Sequence, residues 1–330
     1  MKPYLLALVL AALYISGFSQ ACCCTGACTN YSILPNVDKN VVGMRYSFSS
    51  YNSTAYSVSN MNMEGMNMSM MGPGNPAIEN MHTLDIFGRF VLPKRFYISL
   101  FVPVHILEEN SALGNSTTTG LGDVSALLQY AVFNTKKCSL SPVKHQLRLG
   151  AGLKAPTGKF SMTPEGMFST DLQLGTGSFD FLLNAVYTLR YKQFGVNVTA
   201  SYKKNLENSN HFRFGDKAKG GVSAFYLFKL PVGITLMPQV GVSYDYAFYN
   251  IWQSQTLSYT GGQYLIGNVG FDIYYKDVAF SASVSPPLMS LLNWSGEPYE
   301  RIAMEAGIYY SFSKIIPPHK KKQNEISKTN

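Results

Sequence analysis

Between residues 194 and 202 the chain alternates strictly, with Phe194, Val196, Val198, Ala200 and Tyr202 on one parity and Gly195, Asn197, Thr199 and Ser201 on the other. A period of two belongs to a strand with one apolar and one polar face, and no helix could bury such faces. The pattern recurs where Leu147, Leu149 and Ala151 alternate with Arg148, Gly150 and Gly152, and where Phe280 and Ala282 alternate with Ser281 and Ser283. It recurs again in Ile302, Met304, Ala306, Ile308, Tyr310 and Phe312. In all, twelve segments can be marked, at about 40–50, 81–92, 94–106, 120–133, 144–155, 178–190, 193–204, 219–229, 233–246, 263–274, 276–285 and 300–312. The links after even-numbered segments are short (Leu92-Pro93-Lys94, 190–193, Leu230-Pro231-Val232, Tyr275-Lys276-Asp277), 134–143 being somewhat longer. The links after odd-numbered segments are long: 51–80, 107–119, 156–177, 205–218, 247–262 and 286–299. An even strand count with this alternation predicts an all-β fold, a transmembrane up-and-down antiparallel barrel with periplasmic turns and termini and long extracellular loops. Pro103 and Pro238 fall inside predicted strands, where each removes a ladder donor, so bulges are expected there.

Composition excludes the competing classes. Charged residues are 14% of the chain, against about 25% in a soluble domain. Aromatics reach 13% and Gly contributes 28 residues, too apolar for a disordered chain. Past residue 18 no apolar stretch approaches the roughly 18–20 residues of a membrane helix. At the N-terminus, Lys2, an apolar run over 4–15 and small residues up to Ala21 read as a secretory signal peptide over 1–21. A Cys-containing segment follows at 22–39, then the barrel at 40–312. Residues 313–330, with Lys320, Lys321 and Lys322, read as a basic, solvated periplasmic tail. The net charge of +8 comes partly from that tail. The expected setting is the cell outer membrane, with its lipid and a small solute or metal ion as partners and no nucleic acid.

Thr119-Gly120-Leu121-Gly122-Asp123-Val124, followed by Leu147-Arg148-Leu149-Gly150-Ala151-Gly152-Leu153-Lys154-Ala155-Pro156-Thr157-Gly158-Lys159, resembles the outer-membrane barrel family labelled "MetA-pathway of phenol degradation" or simply "transporter". Its members share a Gly-x-Gly-Asp strand start and a Lys-x-Pro-Thr-Gly strand end. The resemblance implies an outer-membrane channel or uptake protein, often associated with hydrophobic, aromatic compounds. A Met-rich first loop and a Cys cluster depart from that pattern.

That loop carries Met61, Met63, Met66, Met68, Met70 and Met71, six of the chain's fourteen Met within eleven positions. Thioethers are soft ligands that favour Cu(I), and they neither deprotonate nor form disulfides. Asn, Gly and Ser between them bring no competing ligands. Apolar side chains in a watery loop lack a packing reason, so Cu(I) is the candidate ion, ahead of accidental enrichment. Cys22, Cys23, Cys24 and Cys28 place four thiols at an exported N-terminus. A thiolate cluster for Cu(I) or Zn(II) stands level there with lipidation of Cys22 or a Cys24–Cys28 disulfide.

By alternation Arg45, Asp85, Arg89, Asp123, Arg148, Lys154, Asp180, Arg190, Asp245, Asp272, Arg301 and Glu305 face the lumen. They suit both a charge network filling a narrow interior and a polar pathway for solutes. No single-sign ring stands out. Enzyme chemistry has little support: Gly-x-Ser-x-Gly and His-Glu-x-x-His are missing, and the five His are scattered. His105 and Ser125 lie on adjacent predicted strands but have no third partner. Function therefore narrows to a transporter or channel, with copper handling attached, against a channel for small aromatic compounds or a non-transporting, metal-sequestering barrel.

Overall fold

The computed structural model describes residues 39–54, 57–63, 66–72, 76–111, 114–135, 142–160, 173–257, 260–292 and 299–312. Twelve long strands run through them: β1 (Asn40–Thr54), β2 (Pro76–Val91), β3 (Phe96–Ser111), β4 (Ser125–Asn134), β5 (Val143–Lys154), β6 (Asp180–Tyr191), β7 (Phe194–Asn205), β8 (Lys217–Tyr226), β9 (Ile234–Ala247), β10 (Gly262–Tyr275), β11 (Val278–Ser285) and β12 (Tyr299–Phe312). Each pairs antiparallel with the next. β12 returns to β1, Phe312 against Asn40, and closes the ring. Closure removes the unpaired edges that an open sheet of this size would present.

Alternation decides what lies inside. Arg45 is 5% exposed, while its neighbours Met44 and Tyr46 are 49% and 45% exposed. Leu149 and Leu153 point outward in the same way beside buried Arg148 and Lys154. Large apolar side chains are exposed along all twelve strands, far beyond the few hundred Å² a soluble monomer shows. That surface requires lipid. No helix among the described residues is long and apolar enough to cross a membrane; the strands supply the crossing.

The short-turn end is built from recurring devices. Leu92-Pro93-Lys94-Arg95 and Leu230-Pro231-Val232-Gly233 both form 3-10 turns, closed by Leu92 N–H to Phe96 O and Leu230 N–H to Ile234 O at 2.8 Å each. Lys94 (φ 58°) and Val232 (φ 67°) take the left-handed conformation these turns need. That is costly for β-branched Val232. Lys192 (φ 53°) and Lys276 (φ 52°) do the same in the two-residue turns of β6–β7 and β10–β11.

The structure departs from the sequence reading in four places. The segment expected at 120–133 is two strands: Gly114–Leu121 folds back on β3, and the chain leaves the ladder at Gly122, Asp123 and Val124 before β4 begins. Those three residues face only Val102 and Pro103 of β3, and Gly122 N–H donates to Pro103 O at 2.8 Å. The bulge expected at Pro103 is thus present, on the partner strand. At Pro238 no bulge forms, since Phe225↔Gln239 and Phe228↔Leu236 hold one register and the ladder only lapses between them. The first long link, marked at 51–80 with no strand of its own, pairs Ser57–Met63 with Met66–Gly72 as a two-stranded ribbon. Finally, Pro287–Leu292 adds to the upper half of β10, and Phe212–Arg213, Asn250–Trp252 and Gln255–Leu257 make a small sheet of their own.

Candidate functional site in the barrel lumen

The break before β4 places Asp123 at the centre of an ionic knot. Lys154, at the end of β5, donates to Asp180 Oδ2 at 2.6 Å, to Thr176 Oγ1 at 2.5 Å and to Asp123 Oδ2. All three charged side chains are at most 5% exposed. Asp123 also accepts from Gly158 N–H (2.9 Å) and Thr176 N–H (2.8 Å), and Asp180 accepts from Ser178 Oγ (2.9 Å) and Leu206 N–H (3.1 Å). Thr157 Oγ1 donates to Gly122 O (2.7 Å) and accepts from Val124 N–H (2.9 Å). The glycines are there for space: a Cβ on Gly122 would sit 2.3 Å from His105 Nε2, and one on Gly175 2.3 Å from Asp123 Oδ1. The Gly-x-Gly-Asp and Lys-x-Pro-Thr-Gly segments are therefore one structural unit. It ties the β5–β6 connection to the inner wall.

Beside the knot, Arg45 Nη2 donates to Asp85 Oδ2 at 2.5 Å, the two standing opposite each other in the β1–β2 register. His105 is fully buried and its Nδ1 lies 2.8 Å from Thr83 Oγ1, so it is held by Thr83 and not by Ser125. Val41, Phe87, Phe101, Leu127 and Leu182 form an apolar layer with Tyr309 against it. The inward positions of β2–β4 are almost all buried beneath one another, whereas Gly43, Ser47 and Ser49 on β1 and Gly150 and Gly152 on β5 are half-buried. Those of β8–β11 include Gly221, Ser223, Gly241, Ser243, Asn268, Gly270, Ser281 and Ser283, small or polar and half-buried, beside Phe225, Met237, Asp245, Tyr264 and Asp272, which are buried. A run of small or polar, half-buried positions thus lines the inner wall along β8–β11.

At the long-loop end the described parts of the connections after β5, β7 and β9 pack on one another. Phe212 stacks on Phe160 at 6.0 Å and meets Phe214 edge-on at 4.8 Å. Asp216 accepts from Lys204 Nζ (2.7 Å), Tyr202 OH (2.8 Å) and Asn205 N–H (3.0 Å). Burial alone would raise the Asp216 pKa; the Lys204, Tyr202 and Asn205 hydrogen bonds and the Lys204 charge overcome it and hold the carboxyl below its ordinary value.

Of the inward charges expected from sequence, Arg45, Asp85, Arg89, Asp123, Arg148, Lys154, Asp180, Asp245 and Asp272 are buried, and Arg190 and Glu305 half-buried. The structure joins Asp123, Lys154 and Asp180, joins Arg45 to Asp85, and stacks Arg148 over the Tyr97 ring at 5.9 Å. Asp245 pairs with Lys219 at 2.9 Å, a residue the sequence reading passed over, as it did Thr176, Ser178 and the Asp216 hub. The side chain of Arg301, the side chains of Met61, Met63, Met66, Met68, Met70 and Met71, and all of Cys22, Cys23, Cys24 and Cys28 lie outside what is described. Among the described residues no group of three or more His, Cys, Asp or Glu is placed to hold a metal.

No protein-family model matches this chain, and no curated protein is similar to it in sequence. Solved structures are similar in fold. The COG4313 outer membrane channel from Pseudomonas putida F1 is 16% identical with a TM-score of 0.58, covering 86% of this chain and 98% of that one. The β domain of the Bordetella autotransporter BrkA is 13% identical (TM-score 0.46; 82% and 99% covered). The translocator domain of NalP from Neisseria meningitidis is 10% identical (TM-score 0.40; 83% and 88%). At these identities the first likeness is one of fold and the other two are looser. The chain has the fold of a closed, twelve-stranded, outer-membrane-type β-barrel.

Proposed function

We propose that this chain is an outer-membrane channel for small polar solutes, with its short turns in the periplasm and its long loops at the cell surface. One observation carries the reading: a closed ring with an apolar exterior encloses a half-buried wall of Ser, Gly and Asn on β8–β11. Such a wall offers hydrogen bonds to a passing polar molecule and nothing to a hydrocarbon. A solved barrel of the same fold is itself described as an outer membrane channel. The test is conductance of the purified protein in planar bilayers, together with swelling of liposomes in small sugars and amino acids. Discrete conductance steps and swelling are expected; a barrel that inserts but neither conducts nor swells is a non-transporting one. Orientation is read separately, by an epitope near Asn60 that is reachable on intact cells and one after Lys322 that is not.

Copper handling is a second reading, supported by the register of the first-loop ribbon. The backbone pairs Met63 with Met66, Met61 with Met68 and Ser59 with Met70. Residues paired across an antiparallel ladder share a face, as do residues two apart along a strand. Met61, Met63, Met66, Met68 and Met70 thus occupy positions on one face of the ribbon, and Met71 the other. Full-length protein is expected to retain Cu(I) against a competing chelator, and changing these six Met to Leu to abolish that retention. Retention should hardly vary from mildly acidic to neutral pH, because thioethers carry no proton, whereas retention by Cys22–Cys28 thiolates should fall with acid. Unchanged retention in the Leu variant removes the ribbon from copper chemistry.

A further inference from the structure

We propose that the short-turn end of the barrel is a binding belt for the phosphate head groups of anionic phospholipids. The proposal rests on the membrane-spanning reading above. Four of the turns at this end carry a cation next in sequence to an aromatic residue: Arg95 beside Phe96, Lys192 beside Tyr191, Lys229 beside Phe228 and Lys276 beside Tyr275, with Lys94 adding a fifth charge. All five cations are exposed. Tyr191, Phe228 and Tyr275 point outward, at 51%, 47% and 42% exposure. Two cations lie back over the neighbouring ring, Lys192 Nζ at 5.4 Å and Lys276 Nζ at 5.1 Å from the ring centroid. Phe96 meets Tyr130 at 5.0 Å and Phe228 meets Tyr226 at 4.6 Å, which widens the aromatic band.

The two ends of the barrel differ in how they treat cations. Toward the long loops, Lys154, Lys204, Arg213 and Lys219 each have a carboxylate within 3.5 Å. At the short-turn end none of Lys94, Arg95, Lys192, Lys229 and Lys276 makes an ion pair among the described residues, and Asp277 is taken by Lys39 at 2.6 Å. Aromatic side chains settle at the level of lipid head groups, so a cation one residue away lies at the level of the phosphates. Cations near a membrane surface draw anionic lipid toward them. An acidic protein partner would need these charges gathered on one patch. Instead they follow β2, β6, β8 and β10 around the circumference, each beside a lipid-facing ring. That distribution fits a leaflet.

The test uses the full-length protein in detergent, titrated with phosphatidylglycerol or with phosphatidylcholine, with native mass spectrometry counting retained lipid. The native chain is expected to prefer phosphatidylglycerol. Combining Lys94→Gln, Arg95→Gln, Lys192→Gln, Lys229→Gln and Lys276→Gln should weaken that retention at least about tenfold, and exchanging each Lys for Arg and Arg95→Lys should restore it. Heat-dependent gel mobility reports whether each variant still forms the barrel. Equal retention by the native and Gln chains, or no preference in the native chain, overturns the belt and leaves these cations to an acidic protein. A chain that inserts and conducts while showing no lipid preference sinks the belt alone. One that fails to insert sinks the channel reading with it.

Discussion

Replacing Lys154 by Met should be among the most damaging single changes available in this barrel. Lys154 is the cation between two carboxylates, Asp123 and Asp180, and all three side chains are at least 95% buried. Methionine keeps most of the length and the apolar stem but leaves two like charges facing each other away from water. Removing one partner of a buried ion pair costs about 3–5 kcal/mol. The remaining donors, Gly158 N–H and Thr176 N–H to Asp123 and Ser178 Oγ and Leu206 N–H to Asp180, soften that without abolishing it. At about 1.4 kcal/mol per decade, the unfolding equilibrium constant should rise roughly 10²- to 10³-fold. Urea titration of the folded barrel in lipid vesicles, read by tryptophan-independent gel mobility shift, measures it. A triple variant, Lys154→Met with Asp123→Asn and Asp180→Asn, removes every charge and should recover a large part of the loss. If Lys154→Met costs under about 1 kcal/mol, or if the triple variant is no better than the single one, the knot does not hold the β5–β6 connection as argued.

Four further outcomes follow from local geometry. Gly122→Ala places a Cβ 2.3 Å from His105 Nε2 and 3.0 Å from Pro103 Cγ, so overpacking should cost about 1–3 kcal/mol. Gly220→Ala, where the nearest atom is Thr199 O at 4.0 Å, should be neutral in the same urea titration. The Asp216 carboxyl has a lowered pKa in the folded protein. Its contribution to the loop packing is therefore fully present above the unfolded value of about 3.9 and is lost as pH falls through the lower folded value; limited proteolysis of the loop after β7 between pH 7 and pH 2 should show protection failing only at the acid end, and failing at every pH in Asp216→Asn. Arg45→Gln leaves Asp85, 1% exposed, without its guanidinium, and should lower stability by about 3–5 kcal/mol, with Arg45→Gln/Asp85→Asn recovering most of it.

Strand by strand, the chain announces its own barrel. Segments expected at 144–155 and 193–204 are found at Val143–Lys154 and Phe194–Asn205, because alternation marks the span and the adjoining turn residues mark its end. The inward face was equally plain: Arg148, Lys154 and Asp180 share parity with Gly and polar residues, and parity alone assigns a side to every residue of a strand. A partner it does not assign. Arg45 meets Asp85 and Lys154 meets Asp180 because β1–β2 and β5–β6 hold particular registers, fixed by the whole length of each pair together. Asp123 reaches the same lysine only because Gly122, Asp123 and Val124 leave the ladder beside Pro103, a break inside the segment expected as one strand over 120–133. The same holds for Asp216, whose four partners come from β7 and the loop beyond it. Alternation is a property of nearest neighbours along the chain and survives translation into any register. Charge pairing instead depends on the register between neighbouring strands and on where the chain leaves the ladder, and neither is specified by the alternation of any one strand.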